Sequence, residues 1–455
     1  MGFLQPFFWV VILLGIMILI HELGHFWAAL AVGVKVETFS IGFGPRLFGF
    51  KRGETDFRVS AIPFGGYVRM LGEQPGQSVV LQAAELDRQR DSGDAEEVVD
   101  PRAFYAKPRW QRAIVIIAGP LMNVILAVAI VAGLYMYAFP KEVETADPVI
   151  TSIVPGSPAA RAGLQAGDKI VQIGGKHDPN WQDVVTLESL NANRALPVIV
   201  ERRGQKLSYA VTPKMDPKEG IGVAGWNGEE DVQIGQVLRD SPAAAAGLRP
   251  GDLLLSVNNQ PVVSPLVLRQ AVIQSAGKPV SIKVMRDNRV QTIAVTPTPT
   301  SDPKLPWHIG IEFSYRVQIV RLPFVPALGQ SLKFNAQNAT MIFRVLGSIV
   351  ERRVSPKALA GPIGIAQLSS EAAQQGPLSF LLLMSVVSLN LAIFNLLPIP
   401  ILDGGTLLLL IIEMLLQREV SLQVKETVLK LGFVFLMMIV VFVIYNDISR
   451  IVTNG

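Results

Sequence analysis

The chain has 455 residues, of which 50% are hydrophobic and 17% charged, with a net charge of +4. That is too long for one ordinary domain and too apolar for a purely soluble one, which points to membrane helices diluted by soluble parts. The small, scattered charge argues against a nucleic-acid partner, and the absence of cysteine excludes disulfides, thiolate metal ligands and cysteine nucleophiles.

Four stretches are apolar enough to cross a bilayer, which takes about 20 residues. They are Phe7–Val34, Ala113–Phe139, Leu378–Leu397 and Val428–Tyr445. The first lacks the basic n-region and small-residue cleavage site of a secretory signal, so it reads as a retained span. Inside it stands His21-Glu22-Leu23-Gly24-His25. Residues i and i+4 share a helix face, so His21 and His25 can offer two imidazole nitrogens to one metal ion. Glu22 beside them is placed to take a proton from an attacking water. A charged side chain in the middle of a membrane helix costs about 2.5–3.5 kcal/mol on insertion scales, and a metal gives three such groups a reason to be there. The plainer alternative is a soluble core helix with two satisfied histidines, which the surrounding apolar run disfavours.

Lysine and arginine set the orientation. None precedes the first span, whereas Lys35, Arg46, Lys51 and Arg52 follow it and Lys107, Arg109 and Arg112 precede the second. The N-terminus is therefore expected outside, residues 35–112 inside, about 140–377 outside, 398–427 inside, and the tail outside. His21–His25 and Pro398–Asp403 then both lie toward the inner side.

In the first inner loop, Phe39–Met70 is rich in glycine and aromatics and reads as short β-hairpins. Its apolar runs fit a re-entrant hairpin beside the metal, whose edge could pair with an extended substrate. A surface hairpin that only touches lipid fits equally well. The acidic stretch Glu85–Asp100 reads as a loose insertion.

The outer region holds a repeat. Ser157-Pro158-Ala159-Ala160-Arg161-Ala162-Gly163-Leu164-Gln165-Ala166-Gly167-Asp168 returns 84 residues later as Ser241-Pro242-Ala243-Ala244-Ala245-Ala246-Gly247-Leu248-Arg249-Pro250-Gly251-Asp252. This string resembles the tandem PDZ domains of bacterial membrane proteases, with boundaries expected at 146–225 and 226–313. Such folds bind peptide ends by strand addition, though two spacer domains with vestigial grooves would look the same. His177 and His308 fall here and read as loop residues. Residues 324–377 begin with an amphipathic helix suited to a membrane surface. No chemical role follows for Ala360–Ile365.

A catalytic zinc usually has three protein ligands and one open position. The third ligand is sought in Asn395-Leu396-Leu397-Pro398-Ile399-Pro400-Ile401-Leu402-Asp403-Gly404-Gly405, where two prolines break the helix. Asp403 is the leading candidate, with Glu413 a rival. Asp403 also suits the N-cap of a helix over Thr406–Leu416. Asn390 and Asn395 either hydrogen-bond between helices or grip the backbone of an unwound substrate.

Together these motifs resemble the site-2 protease family of intramembrane zinc metalloproteases, above all its bacterial branch in the sigma-E envelope-stress pathway. The resemblance spans nearly the whole chain: H-E-L-G-H in span one, Gly119-Pro120-Leu121-Met122-Asn123 in span two, the repeats, and N-x-x-P-x-P-x-L-D-G in span three. It implies an α-helical membrane protein with four spans, a re-entrant β-hairpin region and two periplasmic PDZ domains, set in the bacterial inner membrane with both termini periplasmic. It implies Zn2+ on His21, His25 and Asp403, Glu22 as general base, and Asn395 and Pro398 seating the substrate, with Asn390 and Pro400 completing the expected substrate-binding set. The implied substrates are membrane segments left by an earlier protease: a transmembrane anti-sigma factor and signal-peptide remnants. Two rivals remain: a protease anchored by one helix that cuts soluble proteins, and a catalytically silent scaffold built on the repeats.

Overall fold

The computed structural model describes residues 4–72, 100–142, 148–217, 219–228, 232–262, 265–287, 289–300, 306–315, 317–418 and 420–454. Apart from Asp100, the acidic stretch lies outside them. The chain divides into two units, one of residues 1–138, 321–343 and 359–455, the other of residues 139–320 and 344–358.

In the first unit the order is helix α1 (Leu4–Ala31), strands β1 (Val36–Arg52) and β2 (Thr55–Met70), then helix α2 (Arg109–Tyr137). Helix α3 (Phe324–Val350), of which residues 324–343 belong to this unit, and helices α4 (Pro362–Gln375), α5 (Pro377–Asn395), α6 (Asp403–Leu416) and α7 (Leu422–Asn454) follow later in the chain. Four helices among the described residues are long and apolar enough to cross a membrane: Gln5–Ala31, Arg109–Tyr137, Pro377–Asn395 and Gln423–Ser449. Lipid tails are as apolar as leucine, so such helices associate by close packing rather than by escape from water. Leu13 and Met17 of α1 are buried with Ala372 of α4 and with Phe380 and Met384 of α5. Further along α1, Phe26 and Ala29 pack with Phe39, Val68, Val115 and Leu410. Gly24 permits the approach of α2, because a Cβ there would overlap the Ala118 carbonyl.

The β1–β2 ribbon is folded over on itself. Phe39, for example, pairs with Val68 on one side and with Phe57 on the other, while Phe57 also pairs with Phe50. The result is a sheet of four rows, ordered 66–70, 36–41, 56–59 and 48–52, with the 66–70 row at an edge. One end is buried through Val36, Phe39, Val68 and Met70, and Ser40 and Ser60 share a 2.9 Å hydrogen bond. The far side carries Leu47, Phe48 and Phe50, 62–64% exposed.

The stretch Ala360–Ile365, silent in sequence, starts helix α4. Pro362 occupies the first turn, and no local side chain caps it. The cap comes from Asp447 of α7, whose carboxylate accepts the amides of Gly361 (3.0 Å), Ile363 (3.0 Å) and Gly364 (3.2 Å). Asp447 lies inside an apolar span and is buried, so the positive end of the α4 dipole supplies the compensation its charge requires. Asp447→Ala should destabilise the protein in detergent by about 1–3 kcal/mol, the cost of leaving buried donors open. Asp447→Asn should lose less, and thermal unfolding of the two variants against the wild type checks the order.

In the second unit the two repeats have separate cores. The first gathers Ile150, Ala159, Leu164, Ile170, Val184, Val198 and Val200. The second gathers Ile234, Ala243, Leu248, Leu254, Leu268, Ile282 and Val284, the same positions shifted by 84. The shared motif explains its own spelling. Ser157 caps a five-residue helix by accepting the Ala160 amide, Pro158 stands in the first turn, and Gly163 ends the helix at φ 88°. Ser241, Pro242 and Gly247 do the same in the second copy. The motif's last residue, Asp168, accepts the Gln165 amide at 2.9 Å and takes the Arg202 guanidinium in a bidentate pair at 2.6 and 2.7 Å. Asp252 holds Arg249 and Arg286 identically. Strand Trp226–Gly228 pairs with Ile150–Ile153, so the first repeat runs through Gly228 rather than ending at 225; the closing strand is needed to cover the first. Likewise Ile311–Tyr315 pairs with Val232–Val237 and carries the second repeat past 313. Strands Phe139–Glu142 and Val317–Val320 pair where the chain enters and leaves.

Burial alone would raise the Asp168 carboxyl, but the Arg202 and Gln165 hydrogen bonds prevail and hold it below the usual carboxylate range. Its contribution to stability is therefore complete above the unfolded value, near 4, and fades as pH falls through the lower folded value. Asp168→Ala should lower the stability of this repeat by about 1–3 kcal/mol at neutral pH, by stranding buried donors. The gap to wild type should narrow in acid, which a pH series of unfolding curves measures.

Candidate metal centre

His21 and His25 stand one turn apart on α1, and both are buried. Their Nε2 atoms lie 3.2 Å apart. Asp403 reaches the same point, with Oδ2 3.1 Å from His21 Nε2 and Oδ1 3.6 Å from His25 Nε2. Among the described residues this is the one trio of metal-ligating side chains whose ligand atoms all lie within 4.8 Å of one another.

The trio fits zinc. Bonds of about 2.0–2.1 Å at tetrahedral angles put neighbouring ligand atoms about 3.3 Å apart, and the separations here bracket that value. The donor chemistry agrees. His25 Nδ1 donates to the Val115 carbonyl at 2.8 Å, which leaves Nε2 unprotonated and facing the other ligands. His21 Nδ1 lies 3.3 Å from the Asn123 side-chain amide, and the Asn123 Oδ1 atom is buried without a partner. Turning that amide over lets His21 Nδ1–H donate to Oδ1. His21 Nε2 is then also free of a proton. Asp403 Oδ2 is itself a buried oxygen with no hydrogen-bond donor. Two bare imine nitrogens and a carboxylate converging in a buried place call for a cation.

The supporting positions come from three elements. Gly119 of α2 leaves room for the His25 ring, which a Cβ would overlap. Ser388 of α5 donates to the Asn123 carbonyl at 2.9 Å and ties α5 to α2 beside the site. Asp403 ends a tight loop after α5, in which Ile401 sits at φ 88°. A β-branched residue in the left-handed region costs of order 1–3 kcal/mol and is held only where surrounding structure dictates it. The helix expected from Thr406 already begins at Asp403, with Leu402 as its N-cap. Gly404 and Gly405 make this possible, since a Cβ on either would overlap the carbonyls of Leu396, Leu397 or Ile399.

Glu22 points to the edge row of the folded ribbon. Gly66 packs against its side chain, and the Val68 amide lies against its carboxylate. His21, Glu22, His25, Asp403, Gly66, Tyr67 and Val68 all line one cavity of about 710 Å³. Glu413 lines the same cavity, but its carboxylate is taken by Lys425 at 2.6 Å and by the Val420 amide. Of the expected substrate-binding residues, Asn395 comes to the metal ligands, its Nδ2 3.5 Å from His21 Nε2. Pro400 packs on Gly432 of α7. Pro398 lies in the loop between α5 and α6, and Asn390 makes no side-chain hydrogen bond to the trio among the described residues. The residue whose role sequence reasoning missed is Asn123. Its signal was a polar side chain in an otherwise apolar span.

The profile of Peptidase family M50 matches residues 9–439. A Treponema pallidum protein whose name reads as a zinc metalloprotease is 33% identical over 96% of this chain and 98% of its own length. The regulator of sigma E protease of Haemophilus influenzae is 31% identical over 99% of this chain and all of its own, and that of Salmonella typhimurium 32% over 97% and 98%. A PDZ domain of the SdrC-like protein from Listeria monocytogenes covers 18% of this chain and 87% of its own at 24% identity, with a TM-score of 0.17, too slight a likeness to assign a fold. Matched along nearly its whole length by profile and relatives alike, the chain belongs to peptidase family M50 and is a membrane-embedded, zinc-dependent metalloendopeptidase of the site-2 type.

Proposed function

We propose that this enzyme hydrolyses peptide bonds within membrane-spanning segments of proteins already trimmed by another protease. The observation that carries the reading is the position of His21, Glu22 and His25 inside the apolar span Gln5–Ala31. A protease for soluble chains has no need of ligands at that depth. By analogy with the relatives named as regulators of sigma E, the principal substrate is a transmembrane anti-sigma factor, and signal-peptide remnants are a second class. The setting is the bacterial inner membrane, with both termini periplasmic as the lysine and arginine distribution predicts.

In this reading His21, His25 and Asp403 hold the zinc. Zinc, when bound, supplies Lewis acidity that activates water and polarises the scissile carbonyl. Glu22 accepts the proton of the attacking water and returns it to the leaving amine. The Val115 carbonyl and Asn123 fix the two imidazoles, so the ligands need not reorganise during the reaction. A helical substrate hides its carbonyls in i→i−4 hydrogen bonds and must unwind before attack. The edge row Gly66–Met70 offers backbone groups to a strand lying beside Glu22, and Asn395 holds that strand at the metal. Asn390, Pro398 and Pro400 shape the approach. The exposed Leu47, Phe48 and Phe50 set the ribbon into the lipid. The repeat region, of PDZ type, receives peptide ends.

Purified variants test the assignments. Glu22→Gln should keep full zinc occupancy and lose cleavage of a membrane-embedded test peptide. Asp403→Ala should lose both, and an unchanged metal content with an unchanged X-ray absorption edge would remove Asp403 from the ligand set. Asn123→Ala should weaken zinc affinity about 10- to 100-fold, as removal of a ligand's hydrogen-bond partner typically does. Competition with a chelator reads that shift without any activity assay.

A further inference from the structure

Among the positions 84 residues apart that are buried in both repeats, one changes from charged to apolar. At the place where the second has Val272, the first has Glu188, offset by the same 84 residues. Both side chains are buried. Glu188 is on the helix Trp181–Ser189 and points to the turn before the closing strand. There its Oε1 accepts the Ala224 amide, the Gly225 amide lies against the same carboxylate, and Oε2 accepts the Trp226 indole N–H at 2.7 Å. Burial pushes this carboxyl above the usual glutamate range, and only these donors oppose it.

The corresponding turn of the second repeat is Ile309-Gly310-Ile311. The match is fixed by the hydrogen bonds: Ala159 donates to Ala224 as Ala243 does to Ile309, and Val154 donates to Gly225 as Leu238 does to Gly310. Gly225 and Gly310 both take positive φ, 83° and 75°, and both lie against the capping serine of their own repeat. No side chain among the described residues accepts from the Ile309 or Gly310 amide, and Val272 and Ile311 are the apolar counterparts of Glu188 and Trp226. Successive amides in such a turn form a nest that takes carboxylates, the chain terminus of a peptide among them.

We propose that Glu188 is a built-in ligand that fills the carboxylate nest of the first repeat, so that only the second repeat can receive a peptide C-terminus. The second half rests on the reading of the repeats as peptide-end binders; the first half stands on the Glu188 contacts alone. The chemistry of the guest is a free terminal carboxylate followed inward by an apolar side chain, to match Val272 and Ile309. The first repeat is thereby a closed module.

Full-length protein in detergent micelles tests both halves. The probe is a peptide with an apolar last residue and a free carboxylate, compared with its C-terminally amidated form by calorimetry. Wild type should bind one carboxylate peptide per chain and none of the amide. Glu188→Val, which installs the second repeat's own residue, should bind two, and Glu188→Val combined with Trp226→Ile guards against a stranded indole. Two sites in the wild type, or one in both folded variants, would overturn the proposal. If no form binds the peptide, the peptide-end reading fails and acetate decides the rest. Acetate should raise the unfolding temperature of Glu188→Ala by several degrees over chloride at equal ionic strength and leave wild type unmoved. An equal response of the two proteins would remove Glu188 as the nest's ligand.

Discussion

Two imidazole nitrogens facing one another at 3.2 Å, with a carboxylate across from them, cannot rest inside a membrane helix without help. In an apolar medium each polar group must find its partner within the protein, and much of the first unit is arranged to that end. The α1–α2 approach, opened by Gly24 and Gly119, brings the Val115 carbonyl and Asn123 within reach of the outer ring nitrogens. The glycines after Asp403 let α6 begin against the α5–α6 loop and so deliver the carboxylate. The folded ribbon closes the remaining side at Glu22. Small residues here set distances, and distances set the chemistry.

The second unit solves the same problem with other means. Its buried charges are each held by several fixed donors: Asp168 and Asp252 by a guanidinium and an amide, Glu188 by two amides and an indole. Buried ion pairs are weak evidence of net stability, because desolvation offsets much of the attraction. Their value here is positional. Arg202 also donates to the Gly163 carbonyl, and Arg286 to that of Gly247, so each pair locks the end of the capped helix to the sheet.

The sequence disclosed what depends on short-range spacing. The i,i+4 histidines, the four apolar runs and the 84-residue repeat are all local patterns, and each has its counterpart in the structure. Asp403 was legible as a candidate because cysteine was absent and the other histidines lay elsewhere. Contacts that bridge long separations were not legible. Asn123 meets His21 across 102 residues, and Asp447 caps a helix whose N-cap, Gly361, lies 86 residues before it. The four-row ribbon was hidden because its rows pair across bends inside two continuous strands, a register that a stretch read as short hairpins does not specify. The start of α6 was misplaced because glycine is a poor helix former, and only the crowding of nearby carbonyls shows why two glycines are there.

The Asp447 cap also bears on how the chain is made. Synthesis is vectorial, so α4 emerges from the ribosome well before the residue that finishes its N-terminus. Until α7 arrives, three amides of α4 must be served by water or by lipid headgroups, which keeps that end of the helix from settling into an apolar surround. Insertion of the last span is therefore also the event that completes an earlier helix, and the order of assembly is written into a single carboxylate.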